Sequence, residues 1–184
     1  NGVLTSGKNY TDMEHKWDEG FGYLYGQEAD ATRADLGTSP TGNGTTLNKY
    51  FKKINDSNEP GLASTVYDAF KLGRAAIVAG NYDVRDAQAA IIKINLSKVV
   101  GYKAVDYLES YMTKKAATPA DAVHALSEGY GFILSLMFTN DGTGSPYFSE
   151  AEVNSMLSKL SNFWTVQDSD LIQMVNDIKG RFNF

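Results

Sequence analysis

One motif occurs twice in the chain, and its two copies contain the only two histidines. It reads Asp-x-x-His-x-x-x-Glu-Gly-aromatic-Gly-aromatic and covers residues 12–23 and 121–132 with the same spacing. Agreement of both glycines and both aromatic positions by chance is on the order of 10⁻⁴ for one comparison. We therefore interpret the motif as an internal repeat, with units of about 11–80 and 119–184 that a pseudo-twofold relates.

The polar residues of each copy share one face of a predicted helix. Residues three before and four after a helical position are its neighbours on the helix surface. The aspartate and the glutamate of the motif therefore project beside the histidine. The two sets are Asp12, His15 and Glu19, and Asp121, His124 and Glu128.

Each copy also carries two glycines inside a predicted helix, where a glycine costs roughly 1 kcal/mol relative to alanine. We expect a close approach of helix backbones to explain them. If the two copies cross each other, their histidines and glutamates converge. The predicted helix-crossing positions are Gly20, Gly22, Gly129 and Gly131.

Three interpretations of this face are open. In the first, it binds a metal ion, iron or zinc, since His and Glu from helices build metal sites in bundles. In the second, each histidine donates to a glutamate in a buried polar network that only specifies the helix crossing. In the third, the face binds or acts on an organic ligand, with Glu19 or Glu128 as general base. The predicted metal ligands are His15, Glu19, His124 and Glu128, supported by Asp12 and Asp121.

The two histidine motifs, with the 147–153 stretch and the Phe-Asn-Phe terminus, resemble an uncharacterised family of exported bacterial proteins with the imelysin-like helical fold. The resemblance implies related helical bundles, a periplasmic or cell-surface location and a lipid anchor in the precursor. It also implies a longer precursor, of which this chain is the C-terminal part, so that a missing N-terminal half or an envelope protein is an expected partner.

The wider superfamily includes iron-uptake components and a peptidase-like group, both marked by Gly-x-His-x-x-Glu. Here Met13 replaces the glycine, Asp18 is an acidic substitute for the glutamate, and Ser127 stands there in the second copy. Asp18 thus joins the supporting residues, and iron becomes the favoured metal. The departures favour a binding protein over a peptidase-type enzyme, and no catalytic residue is assigned.

Periodicity and capping signals predict a single all-α domain over 1–184 with one long loop within 27–61. Capping boxes are predicted at Thr11–Glu14 and Ser149–Glu152, with further caps at Asp83 and Thr118. Trp17 and Trp164 are expected in the core. The predicted helices begin near 11 and then cover about 47–54, 62–79, 83–115, 119–138, 149–160 and 168–179.

Composition narrows the classes of partner. The net charge is −5, and the 17 Lys and Arg residues are scattered. Nucleic acid is therefore not expected as a partner, because phosphate binding needs clustered cations. The absence of cysteine excludes disulfides and thiolate metal sites. No apolar run approaches the roughly 20 residues of a membrane-spanning helix.

Overall fold

The computed structural model describes residues 2–26 and 46–184, which contain seven α-helices and no strand. The all-α prediction is confirmed for this part of the chain. Of the long loop predicted within 27–61, residues 27–45 lie outside this described part, and Thr46 begins the second helix. The helices are α1 Asp12–Tyr25, α2 Thr46–Ser57, α3 Leu62–Val78, α4 Tyr82–Lys114, α5 Pro119–Ser135, α6 Glu150–Lys159 and α7 Asp168–Phe182.

The chain divides into two compact units, Asn1–Asn95 (unit 1) and Leu96–Phe184 (unit 2). The boundary lies inside α4, which is a continuous helix of 33 residues. One predicted repeat unit falls in each compact unit. The pseudo-twofold between them stays a prediction.

Two helices begin with the capping boxes that the sequence predicts. At α1 the Thr11 amide donates to Glu14 Oε2 at 2.6 Å, and the Glu14 amide donates to Thr11 Oγ1 at 3.2 Å. At α6 the Ser149 amide donates to Glu152 Oε2 at 2.7 Å, and the Glu152 amide donates to Ser149 Oγ at 3.3 Å. Each box satisfies two amides that the first turn of a helix leaves without a partner.

Of the two other predicted caps, that at Asp83 is wrong, whereas Thr118 stands at the predicted N-cap position, followed by Pro119. The side chain that accepts from the first turn of α4 is Asn81, whose Oδ1 takes the Val84 amide at 3.2 Å, and not Asp83. Thr118 occupies the N-cap position of α5, but its side chain makes no capping bond there. Upstream, α3 ends before Gly80, whose φ of +68° favours glycine at this helix stop.

Unit 1 packs α1 against α2 and α3 around an aromatic cluster. The ring of Phe21 contacts Tyr25, Tyr67 and Phe70 with centroid distances of 4.8–6.1 Å. Offset and edge-on ring pairs of this kind stabilise a core beyond the area that they bury. Trp17 stands at the margin of the cluster, half-buried rather than in the core.

Unit 2 has its own core, formed by the second half of α4 together with α5, α6 and α7. Its fully buried residues include Leu108, Leu126, Ile133 and Ile178. Gly101 of α4 lets the terminal aromatic rings approach, since a Cβ there would lie 2.9 Å from Phe182. The described helices include none that is long and apolar enough to span a membrane.

The expectation that Trp164 lies in the core is wrong. Its side chain is 75% exposed, in the segment between α6 and α7. The two tryptophans therefore differ in environment, and each lies in a different unit.

Candidate functional site

The first copy of the motif places His15 on the solvent-exposed side of α1. Its Nε2 lies 3.3 Å from Glu19 Oε1, and the two side chains are 46% and 40% exposed. The imidazole also stacks on Tyr10, with a centroid distance of 5.2 Å and an interplanar angle of 19°. Lys16 donates to the other Glu19 oxygen at 2.9 Å and, more than His15, holds the pKa of Glu19 below its usual value. His15 and Glu19 thus form an ordered pair at the surface.

An open cavity of about 1080 Å³ borders His15 of this pair. The N-terminal segment 3–6 forms one wall, and the first turn of α1 with His15 and Lys16 forms the other. Thr5 Oγ1 donates to Asp12 Oδ1 at 3.2 Å, which ties the segment to the helix. Asp12 therefore lies in the same cavity as His15, as the helical spacing predicts.

In the second copy, His124 and Asp121 are also exposed, and Glu128 is half-buried. The hydroxyl of Ser127 donates to the carbonyl of His124 at 2.7 Å. This bond engages the Ser127 hydroxyl with its own helix. The polar face of α5 thus points away from the buried side that Leu126 and Ile133 form.

These exposures correct one interpretation of the sequence. A buried polar network requires histidines withdrawn from water, and both histidines are exposed. We expected the histidines to be buried because the repeated glycines suggested a tight helix crossing. The convergence of the two copies stays a prediction.

The donor set of the motif can be compared with the needs of a metal ion. His15 and Glu19 supply one imidazole and one carboxylate, fewer than the three or four protein ligands usual for zinc. Within residues 2–26 and 46–184, no group of three or more His, Cys, Asp or Glu side chains is arranged to hold a metal. The described residues therefore form a two-donor pair in unit 1 rather than a complete site.

The four glycines do not behave alike. A Cβ on Gly129 would lie 3.2 Å from Cβ of Tyr107 on α4, so close packing accounts for this position. At Gly20 it would make an ordinary contact of 3.8 Å with Phe70. At Gly22 and Gly131 it would meet nothing within 4 Å, so a helix crossing within the described residues explains neither.

A residue that sequence reasoning missed, Arg74 of α3, holds α1 from its other side. Its Nη1 donates to Glu14 Oε1 and its Nε to Asp18 Oδ1, both at 2.8 Å. The pKa of Glu14 lies below its usual value because of the Thr11 amide and hydroxyl first, and Arg74 second. Asp18, expected to support a metal, is thus the partner of an arginine.

Unit 2 contains a similar contact, at the start of α6 rather than of the motif helix α5. Arg181 of α7 donates from Nη2 to Glu152 Oε1 at 2.8 Å and from Nη1 to the Tyr147 carbonyl at 2.5 Å. In both units the arginine binds the glutamate of a capping box. A sequence signal was present, since each arginine follows a glycine, in Gly73-Arg74 and Gly180-Arg181.

Gly73, the residue before Arg74, leaves the space in which the Trp17 ring is held. A Cβ on Gly73 would lie 2.1 Å from the indole ring of Trp17, so only glycine leaves space for the ring. The indole Nε1 donates to the Phe70 carbonyl at 2.9 Å. The fixed ring is one wall of an open, largely apolar cavity of about 460 Å³ between α1 and α3. The cavity is lined by Trp17, Asp18, Phe21, Phe70, Lys71, Arg74, Ala75 and Val78.

Comparison with known proteins gives a family. No curated protein and no solved structure matches the chain. The sequence profile of one family, described as Domain of unknown function (DUF4856), matches residues 1–184. This match covers the whole chain, and both helical units with their copies of the histidine motif lie inside it. The chain therefore belongs to the family of the domain of unknown function DUF4856.

Proposed function

We propose that this protein is a non-catalytic binding protein of the bacterial cell envelope, and that it binds its ligand through the exposed faces of the histidine motif. One observation carries the proposal. The residues that the repeat keeps identical include His15, Glu19 and His124, and all three are exposed. Surface substitutions usually change stability by less than about 0.5 kcal/mol, so folding alone does not require identical polar residues there. Ligand contact supplies a reason for them.

The ligand proposed first is iron(II), with zinc(II) as the competing ion. An imidazole and a carboxylate are donors that suit both metals. His15 and Glu19 already lie within 3.3 Å of each other, so one ion could take both donors with small rotations. His124 and Glu128 are the proposed donors of the second copy, and Asp12 and Asp121 lie on the same faces.

Calorimetric titration of the metal-free protein with iron(II) under anaerobic conditions, and separately with zinc(II), tests this. We expect stoichiometric binding that His15→Ala and Glu19→Gln each weaken at least about tenfold. The matched control is Asp83→Asn, which removes an exposed helical carboxylate outside the motif. Absence of stoichiometric binding, or equal binding by the parent and the His15→Ala variant, contradicts the metal proposal.

The His124→Ala variant distinguishes two forms of the proposal. If it abolishes the same single binding event as His15→Ala, both copies hold one ion. If the parent binds two ions and each histidine variant loses one, the copies bind separately.

A second candidate function is an assembly module whose motif contacts another protein. The observation that favours it is the lack of a three-ligand group among the described residues. In that case the double variant His15→Ala/His124→Ala binds metal no differently from the parent and loses a partner from affinity capture. The Asp83→Asn variant would retain that partner.

The proposed location is the periplasm or the cell surface, with a lipid anchor in the precursor. The support is the likeness of the histidine motifs to exported proteins, together with the absence of cysteine. Fractionation of cells that produce the native precursor tests it. Recovery of the protein in the cytoplasmic fraction would contradict it.

A further inference from the structure

The cavity between α1 and α3 is an open, largely apolar recess that the function proposed above does not use. It holds about 460 Å³, within the range of roughly 300–1,000 Å³ usual for small-molecule sites. The side chains of Trp17, Phe21 and Phe70 supply aromatic surface, and Ala75 and Val78 continue the apolar lining. It lies on the side of α1 that faces α3, away from His15.

The aromatic wall is fixed before any ligand arrives. The bond from the Trp17 indole to the Phe70 carbonyl and the close seat on Gly73 hold the ring in one orientation. Phe70 meets the indole edge-on, with centroids 5.9 Å apart. A wall that is already ordered adds little entropic cost when a ligand binds.

The two cationic side chains that line the cavity differ in their ion pairs. Arg74 is bound to two carboxylates, those of Glu14 and Asp18. Lys71 is exposed and forms no ion pair within the described part of the chain, and its Nζ lies 5.4 Å from the centroid of the Tyr67 ring. Its ammonium is therefore the cation of the lining that a bound anion can reach without breaking an ion pair.

We propose that this cavity is a second binding site, for a small amphipathic carboxylate whose apolar or aromatic body lies against Trp17, Phe21 and Phe70 and whose carboxylate pairs with Lys71. The ligand class follows from one apolar recess of limited volume with one available cation at its edge. A neutral apolar molecule would use only the recess, and a simple anion would use only the lysine.

The two tryptophans allow a direct test. In a Trp164→Phe background, Trp17 is the only tryptophan, and the replaced residue is exposed in the other unit. The probes are 4-phenylbutyrate and its neutral analogue 4-phenylbutyramide, and Trp17 emission reports binding. We expect a saturable change with both and about fivefold tighter binding of the acid, as one partly exposed ion pair gives.

Variants assign the two parts of the site. Lys71→Met should remove the preference for the acid, and Lys71→Arg should keep it. The control Lys53→Met, an exposed lysine of α2 in the same unit, should change nothing. Ala75→Leu should weaken both probes by filling the recess, and circular dichroism melts of every variant check that it remains folded.

Three results would overturn the proposal. They are the absence of a saturable change in Trp17 emission, equal affinity for the acid and the amide, and an acid preference that survives Lys71→Met. None of them depends on metal binding, so the test is independent of the His15 and Glu19 proposal.

Discussion

The two motif helices, α1 and α5, share the aspartate, histidine and glutamate of the motif but are anchored by different means. Trp17 of α1 and its equivalent Leu126 of α5 show this, since the first borders an open cavity and the second is fully buried. Asp18 pairs with Arg74, whereas its equivalent Ser127 bonds back to its own helix. The repeat thus keeps the exposed aspartate and histidine identical in both copies, whereas Trp17 and Asp18, which anchor α1, are replaced by other residues in α5.

The largest expected difference between the units concerns the glycine before each arginine. Gly73→Ala places a Cβ 2.1 Å from the fixed Trp17 ring and should lower the free energy of unfolding of unit 1 by about 2–3 kcal/mol. Gly180→Ala meets nothing within 4 Å and should raise that of unit 2 by about 0.5 kcal/mol. Urea denaturation followed by tryptophan emission reads the units separately in two single-tryptophan backgrounds, Trp164→Phe for unit 1 and Trp17→Phe for unit 2. A neutral Gly73→Ala would show that the indole is not held in place.

The next largest expected effect is on the pH dependence of stability, to which the capping-box glutamates contribute. Bonds from the Ser149 hydroxyl and amide, and then from Arg181, lower the pKa of Glu152 to about 2 from its ordinary 4.5. Its stabilisation is therefore complete above pH 4.5 and is lost as the pH falls through about 2. Because the two ion-pair side chains are 42% and 46% exposed, we expect only about 1 kcal/mol from Glu152→Gln at pH 7.

Denaturation midpoints at pH 7 and pH 2 check this, and the parent and the Glu152→Gln variant should approach each other at the lower pH. Glu14→Gln in unit 1 is the matched variant. The pKa of Glu14 is also lowered, so its contribution also declines below pH 4.5. A stability difference that stayed constant with pH would contradict an ionic role for either glutamate.

The first glycines of the two copies should respond differently to alanine. Gly20→Ala meets only an ordinary contact of 3.8 Å and should stabilise unit 1 by about 0.5–1 kcal/mol. Gly129→Ala lies 3.2 Å from Cβ of Tyr107, and that crowding should offset most of the same gain. Gly131→Ala, in open space on the same helix, is the control for helix propensity. Equal gains at 20 and 129 would remove close packing as the reason for Gly129.

The smallest expected effect is that of the histidines on stability without metal. His15→Ala loses the stacking on Tyr10 and the pairing with Glu19, and should cost about 0.5 kcal/mol. His124→Ala should have no measurable effect on the melting temperature with a chelator present. A loss above about 2 kcal/mol for either variant would show that the histidine supports the fold.

Features that depend on adjacent residues could be predicted from the sequence. A capping box is complete within four residues, so the starts of α1 and α6 could be predicted from the sequence. The long helix α4 followed from an uninterrupted periodic pattern. The side of α1 that faces solvent was also predictable, since Trp17, Phe21 and Leu24 lie opposite His15 on a helical wheel. The glycine pairs pointed to burial because their cost suggested a crossing.

Features that depend on distant residues could not be predicted. Trp17 is separated by 53 residues from the carbonyl that it binds, and Arg74 by 60 from Glu14. No local sequence pattern predicts which distant glycine will pack against which aromatic ring. The repeated Gly-Arg dipeptide marks the two arginines, but it does not name the capping-box glutamates as their partners.

The course of α4 through both units limits how the protein can be dissected. Opening the chain at the turn before α4 would deprive unit 1 of residues 82–95, which include the buried Ile92. Opening it after α4 would deprive unit 2 of Val105 and Leu108, which belong to its core. A fragment that ended between the units would leave a severed helix, with four unpaired carbonyls on one side and four unpaired amides on the other. The two copies are thus repeated in sequence without being interchangeable modules, and a gene rearrangement that exchanged one would have to carry part of α4 with it.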